Sequence, residues 1–311
     1  MWFKNLQIFK LTEAVPYNPE ALWEKLTAKQ FKPCRTFLPK SMGWAPPLEA
    51  EEGESPLVHG ANGFMMLCLQ TEEKIVPAGV LRDKVKEKVA EIESQENRRV
   101  YNKERNTIKD EIYQQMVSQA FSRISKIHAY IDTQENLLVI DTPSQTKAEE
   151  FCTMLRKCAD NMQLVIPEVQ SPALLMTKWL YQQTAPLNFI IEDACVLEDK
   201  GDDGTTVRVK GQDLLSANIK AFLDDGCQVT QLALSWTEQV RFTMKDDFSI
   251  RQIKFLEGVK ALAKDAFTET NAQRFDADFT IMTESLRHFL KDLMPHLVVV
   301  ETSDEVEEAV V

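Results

Sequence analysis

Between residues 77 and 120, apolar side chains recur at the spacing of an α-helix. In the first half of this segment they lie three or four residues apart: Leu81, Val85, Val89 and Ile92. In the second half, Tyr101, Ile108 and Ile112 share a stripe about 40° wide at about 100° per residue. We therefore predict a long helical hairpin. Because each narrow stripe buries little by itself, a four-helix contact with a second copy of the chain is expected.

The regions around this hairpin combine strands with shorter helices. Alternating or short apolar runs predict strands at 3–11, 64–69, 124–131, 137–141 and 164–166. Asn18, Ser144 and Ser171 are predicted to cap helices that end near Lys29, Asp160 and Tyr181. The proline-rich segment 35–56 is predicted to be irregular.

From residue 188 onward the pattern becomes mostly β. Asp202-Asp203-Gly204 predicts a hairpin turn between strands at 195–198 and 205–209. A helix over 214–223 is followed by predicted strands at 229–236, 240–244 and 250–255, and by a final amphipathic helix over 274–293. Because the strands come in hairpins rather than alternating with helices, the fold class is α+β with antiparallel sheets.

The chain of 311 residues carries a net charge of −12, yet segment 98–126 is basic. Its cations are Arg98, Arg99, Lys103, Arg105, Lys109, Arg123 and Lys126, against three acids. On one continuous helix, Arg98, Arg105 and Lys109 would lie within about 40° of one another. Such a row is typical of a nucleic-acid site, although an ordinary solvated helix face has the same composition. The acidic remainder would confine a nucleic acid to a groove, clamp or hole.

Two aromatic residues lie next to these cations. Tyr101 and Phe121 could stack on the bases of a single strand. We favour packing for both, because Tyr101 falls on the apolar stripe and Phe121 ends the second helix.

Other chemistry is sparse. The sequence has no Walker phosphate loop, dinucleotide fingerprint or His-Glu-x-x-His motif, so no cofactor is expected. The six cysteines are scattered and are interpreted as reduced thiols rather than metal ligands. His128, within a predicted strand, is interpreted as structural. No apolar run reaches the roughly 18 residues of a membrane span, and the opening residues lack a signal-peptide pattern.

Asp276 and Asp278 are the best acidic pair. Two carboxylates near a basic surface could hold Mg²⁺ for phosphodiester cleavage, as in a metal-dependent nuclease. The alternative interpretation is that they favour the N-terminus of the last helix through its dipole, or that one of them pairs with Arg274.

Six short motifs carry a resemblance to a known family. They are Trp2-Phe3-Lys4-Asn5-Leu6, Met42-Gly43-Trp44-Ala45-Pro46-Pro47, Ala120-Phe121-Ser122-Arg123, Gln212-Asp213-Leu214, Leu232-Ala233-Leu234-Ser235-Trp236 and Arg274-Phe275-Asp276-Ala277-Asp278-Phe279. Their joint order over residues 2–279 resembles bacterial recombination-associated RdgC proteins. One departure is Asp247-Phe248, where the family commonly has Asp-Gly. A turn with positive φ would disfavour phenylalanine, which puts the register of that hairpin in doubt.

The resemblance implies a non-enzymatic DNA-binding protein with little sequence preference. It would form a homodimeric ring whose cationic hole encircles duplex DNA, associate with the nucleoid in the cytoplasm, and limit the access of the RecA recombinase to DNA. Each subunit would be a horseshoe with a central part over 1–76 and 121–170, a helical base over 77–120 and a β-rich tip over 171–272. A C-terminal helix over 273–298 would return to the central part, and the acidic tail 299–311 has no assigned role.

Site residues follow from the same resemblance. The seven cations of segment 98–126 are the candidate phosphate contacts. Cations of the tip are second in rank: Arg208, Lys210, Arg241, Arg251 and Lys254. Phe121 would lie at the base contact between two copies, and Lys210 and Gln212 at the tip contact. No membrane partner is expected.

Two alternative functions remain open: a nuclease that uses Asp276 and Asp278, and a scaffold that binds RecA directly. The preference between single and double strands also remains open.

Overall fold

The structure, a computed structural model, describes residues 1–49, 55–159, 161–199, 201, 204–265 and 270–297. Within these residues the chain forms eight α-helices and two antiparallel sheets of seven and five strands, which confirms the predicted α+β class. Asp202 and Asp203 of the predicted hairpin turn, and the acidic tail 299–311, lie outside the described residues.

The first sheet is built from the first half of the chain. Its strands are β1 (Gln7–Leu11), β2 (Lys40–Ala45), β3 (Val58–Ala61), β4 (Phe64–Lys74), β5 (Ser122–Asp132), β6 (Leu137–Ile140) and β7 (Leu164–Val165). Six of them follow the order β2-β4-β5-β6-β1-β7, and β3 pairs with β4. Helices α1 (Pro19–Thr27) and α4 (Gln145–Arg156), capped by Asn18 and Ser144 as predicted, pack on one face.

The second sheet is built from the second half of the chain. Its strands are β8 (Phe189–Glu198), β9 (Thr206–Lys210), β10 (Gln228–Trp236), β11 (Val240–Lys245) and β12 (Ile250–Phe255), in the order β12-β11-β10-β8-β9. Helices α5 (Pro172–Tyr181) and α6 (Ala217–Asp224) contribute to its core, and α7 (Glu257–Asp265) was not predicted. Leu6 and Ile250 exchange two backbone hydrogen bonds, of 2.7 and 3.1 Å, which join the two sheets.

Helix α8 (Asn271–Leu293) packs against both sheets and confirms the predicted final helix. Toward the first sheet, the Phe279 ring meets Phe64 with centroids 6.3 Å apart. Toward the second sheet, the Phe289 ring meets Phe242 with centroids 4.8 Å apart. Aromatic pairs at these distances add to the free energy of burying the rings. One helix therefore fills the core that the two sheets share.

Helices α2 (Ala78–Glu96) and α3 (Asn102–Gln119) confirm the predicted helical hairpin. Leu81, Val85, Ile108 and Val117 are its buried residues. The basic segment 98–126, however, is not one helix. It crosses the turn between the two helices, all of α3 and the first half of β5, so a single helical row of its cations is excluded.

The prediction that segment 35–56 is irregular is wrong, because β2 lies within it. Proline residues on both sides, Pro39 and Pro46, and the glycine within it mask the strand pattern. Gly43 is required by a close approach, since a Cβ atom built there would lie 2.5 Å from Cα of Phe31. Gly43, a residue type that is unfavourable in strands, is therefore needed for β2 to pack closely against the backbone of Phe31.

Strands β11 and β12 form at the predicted positions despite Phe248, and they pair in a register that shifts between Arg241 and Thr243. Phe248 does adopt a positive φ of 60°, in the region that favours glycine. Its side chain is only 6% exposed. Burial of the ring therefore offsets the cost of the backbone conformation.

A buried ion pair fixes α8 to the first sheet. Nε and Nη2 of Arg287 donate to the two carboxylate oxygens of Asp132 at 2.7 and 2.9 Å. The two side chains are 6% and 3% exposed. Asp132 also accepts the backbone N–H groups of Gln134 and Glu135, and the guanidinium lies 3.9 Å from the centroid of the Phe64 ring. The pair is thus well satisfied by hydrogen bonds.

We expect Arg287→Ala to lower the free energy of unfolding by about 3–5 kcal/mol, because it leaves the Asp132 carboxylate buried without its cation. The matched control is Lys291→Ala, one turn further along α8, which removes an exposed pair with Glu135. That change should cost less than about 1 kcal/mol. Urea unfolding followed by circular dichroism measures both. Similar small losses in the two variants would show that the pair does not hold α8 in place.

Candidate nucleic-acid interface

The turn between α2 and α3 is closed by an arginine clamp. Nη1 and Nη2 of Arg98 donate to the carboxylate oxygens of Glu104 at 2.7 and 2.6 Å, and its Nε donates to Glu96. These hydrogen bonds lower the pKa of Glu104. Arg98 was predicted to lie in a helical row with Arg105 and Lys109, and that prediction is wrong because α3 begins only at Asn102. Its charge is also compensated by two carboxylates.

A groove of about 460 Å³ lies between α2 and α3. We call it the cationic groove, and it is lined by Ala78, Leu81, Arg82, Val85, Arg105, Asn106 and Lys109. Leu81 and Val85 are buried, whereas the three cations are exposed. None of the lining residues is acidic, and no ion pair joins Arg82, Arg105 or Lys109 to any described residue. The groove thus presents three uncompensated positive charges.

Arg82 was not among the predicted phosphate contacts, which begin at Arg98. A signal was present: Arg82 directly follows Leu81 of the apolar stripe, so it borders the face that α2 turns to α3. Lys103, by contrast, points about 160° away from Arg105 and about 120° away from Lys109 around the axis of α3. It therefore does not share their groove.

The opposite flank of the hairpin has mixed charge. A second groove there is lined by Lys84, Glu87, Lys88, Glu91, Ile112, Gln115, Met116 and Gln119. Lys88 donates to Glu91 at 2.8 Å. Because acids alternate with lysines, this flank offers a polyanion little net attraction.

Arg123 and Lys126 do not join the cationic groove. Side chains alternate between the two faces of a strand, so these two residues, three apart on β5, point to opposite faces. Arg123 lies 3.8 Å from Glu73, and Lys126 lies 3.1 Å from Glu49. Burial and the charge of Lys126 lower the pKa of His128 to about 4, so this histidine adds no positive charge at neutral pH.

The foot of the hairpin is apolar and exposed. Phe121 is 87% exposed, and it lines a groove with Ile75, Met116 and Ala120. The Phe121 ring is thus not packed within the subunit and is available for the predicted contact between copies, which stays a prediction.

In the second sheet, the outer strand β9 ends at Lys210, and Gln212 follows; both side chains are exposed. Arg241 pairs with Glu192 and Arg251 with Asp247. Among the tip cations, Arg208, Lys210 and Lys254 have no ion-pair partner within the described residues. They remain second in rank because they are divided between β9 and β12, the two opposite edges of the sheet.

Asp276 and Asp278 serve structural contacts. Asp276 lies 3.1 Å from Nε2 of His59, and Asp278 accepts from the amino group of Met1 at 3.0 Å. Two residues apart on a helix, they point about 160° away from each other. In the described part of the chain, no group of three or more His, Cys, Asp or Glu side chains is placed to hold a metal ion. The geometry does not support the Mg²⁺ site that was considered as an alternative for this pair.

The fold defines a class of α+β protein in which two antiparallel sheets share one long helix and a helical hairpin carries a cationic groove. None of the described helices is long and apolar enough to cross a membrane. A family described as "Putative exonuclease, RdgC" matches residues 1–300. The chain belongs to the RdgC family.

Curated relatives agree with this membership. A protein of Halorhodospira halophila is 38% identical over 94% of this chain and 97% of its own length. A protein of Tolumonas auensis is 37% identical over 96% of this chain and 98% of its own length. Both are named recombination-associated protein RdgC. This chain is therefore recombination-associated by family, whereas the family description also mentions an exonuclease.

Proposed function

We propose that this protein binds DNA without sequence preference and without cutting it, through the cationic groove. The observation that carries the proposal is the set of three cations, Arg82, Arg105 and Lys109, that form no ion pair within the described part of a chain of net charge −12. Phosphate contacts of this kind supply affinity and carry no sequence information. The acidic remainder of the chain would repel DNA and restrict it to this surface.

Arginine and lysine side chains that contact phosphates release counterions from DNA. We therefore expect the affinity for DNA to fall steeply with salt concentration, and this steepness to depend on the cations of the groove. Arg105→Glu/Lys109→Glu should flatten the slope of log affinity against log salt by about 1.8, since each contact contributes about 0.9. The matched control is Lys84→Glu/Lys88→Glu, which reverses two charges four residues apart on the opposite flank, and should change the slope little. Fluorescence anisotropy on a random-sequence duplex measures all three proteins.

Equal slopes in wild type and the Arg105/Lys109 variant would contradict the groove and move the search to Arg208, Lys210 and Lys254. A separate plasmid-nicking assay tests the absence of catalysis. Supercoiled plasmid incubated with the protein and Mg²⁺ should stay intact. Nicking that disappears in Asp276→Ala would establish the nuclease alternative instead.

We further propose that the protein limits RecA by occupying DNA on the nucleoid. In that case, inhibition of RecA-catalysed strand exchange should be lost in the Arg105→Glu/Lys109→Glu variant and kept in the Lys84→Glu/Lys88→Glu control. Competition for DNA predicts this parallel because inhibition then depends on the same phosphate contacts. A complex of the protein with RecA that forms in the absence of DNA would favour the scaffold alternative.

We also propose that two copies form a ring around duplex DNA. The support is a pair of exposed surfaces far apart in the chain. One is the apolar foot of the hairpin around Phe121 and Ile75, and the other is the end of the outer strand β9 at Lys210 and Gln212. An exposed apolar patch is typical of a protein–protein contact. The second surface is polar, and its support is that β9 is an edge strand with one side open to pairing. Two contacts per subunit, one at each surface, close a two-fold ring.

A ring cross-linked at both contacts should load onto linear DNA and fail to load onto covalently closed circles, because a closed ring can be threaded only at a DNA end. The variant Gln119→Cys/Gln212→Cys, treated with a bis-maleimide before DNA is added, provides the closed form. The same variant without cross-linker is the control and should load onto both. Equal loading of the cross-linked protein on both DNA forms, or a monomer in sedimentation velocity, would contradict the ring.

A further inference from the structure

The Tyr101 side chain is 77% exposed at the turn between α2 and α3. The prediction that it packs on the apolar stripe is wrong, because it precedes α3 and takes an extended backbone conformation, with φ −84° and ψ 163°. Most of the surface of this residue is therefore accessible to a ligand.

The turn holds this ring in a defined place. Asn97 ends α2 in the left-handed region, with φ 48°, and the Arg98 clamp ties the turn to Glu104. The Glu93 carboxylate accepts the backbone N–H of Val100 at 2.8 Å. A ligand that binds here need not order the backbone first, which favours affinity.

The surroundings of Tyr101 indicate which ligand fits. Arg99 and Lys103 lie two residues to either side, are exposed, and form no ion pair with a described residue. Glu96 and Glu104, which also lie at the turn, are both paired with Arg98. The turn is thus charged and polar, unlike the apolar foot of the hairpin, so a second copy of this chain is a poor match. An aromatic ring between two free cations suits a single-stranded nucleic acid, whose base stacks on the ring while phosphates contact the cations.

We propose that this turn binds unpaired DNA, with a base stacked on Tyr101 and the adjoining phosphates on Arg99 and Lys103. The inference rests on the proposed DNA binding and adds the kind of strand that is recognised. The cationic groove would contact the backbone of any duplex. The turn would distinguish DNA that carries unpaired bases, such as a gap or a bulge.

The experiment compares three probes at one salt concentration: a single strand of about 20 nucleotides, a matched duplex and a duplex with a short bulge. Tyr101→Ala should weaken binding to the single strand and to the bulge about 5- to 100-fold and leave duplex binding within about twofold. Tyr101→Trp should restore single-strand binding. Tyr181→Ala, which removes another exposed tyrosine, is the control and should change neither. A 2-aminopurine base in the bulge should show fluorescence quenching by wild type and not by Tyr101→Ala.

Other outcomes separate this inference from the proposed function. If Tyr101→Ala bound both the duplex and the single strand as tightly as wild type does, the stacking contact would be overturned. The proposed role of the groove would be unaffected. Equal losses for single strand and duplex would also overturn the stacking contact, because they would show a general contact. A change of oligomeric state in Tyr101→Ala would assign the ring to a contact between copies. Failure of wild type to bind any probe would overturn the proposed function itself.

Discussion

The packing of α8 against both sheets is the constraint on which the rest of the structure depends. Its aromatic side chains reach Phe64 in the first sheet and Phe242 in the second. The Arg287–Asp132 pair makes this packing directional, since a guanidinium can donate two hydrogen bonds to one carboxylate only in a narrow range of geometries. The apolar contacts supply the burial, and the ion pair determines how the helix is placed along the sheet.

The hairpin of α2 and α3 depends on a different kind of interaction. Few of its residues are buried, so its stability comes from the short contact between the two helices and from the Arg98 clamp at the turn. Because Glu96 and Glu104 both pair with Arg98, they do not neutralise the cations in the groove or beside Tyr101. The proposed DNA contacts are therefore a consequence of which charges the fold neutralises, rather than of how many charges the segment contains.

Local signals predicted most elements of the fold. Asn18, Ser144 and Ser171 each accept a backbone N–H at the start of the predicted helix, because capping depends on neighbouring residues only. Strand β2 was missed, since its pairing with distant β4 outweighs a local glycine and two prolines. The candidate site was predicted only in part. Alternation along a strand already implied that Arg123 and Lys126 point to opposite faces. The single helical row overlooked Asn97, a residue type that often ends a helix in the left-handed region, as it does here with φ 48°.

The backbone bridge between Leu6 and Ile250, together with the packing of Phe3 on Met282, has a consequence for biosynthesis. Phe3 and Leu6 find these partners only after some 240 to 280 further residues have been translated. Strand β1 can pair with β6 earlier, but Phe3, Leu6 and Ile8 remain without the core that α8 fills until α8 is available. Such long-range closure makes folding slow and favours aggregation of incomplete chains. Truncation within α8 would thus leave these three apolar side chains, on a distant segment of the chain, without their core.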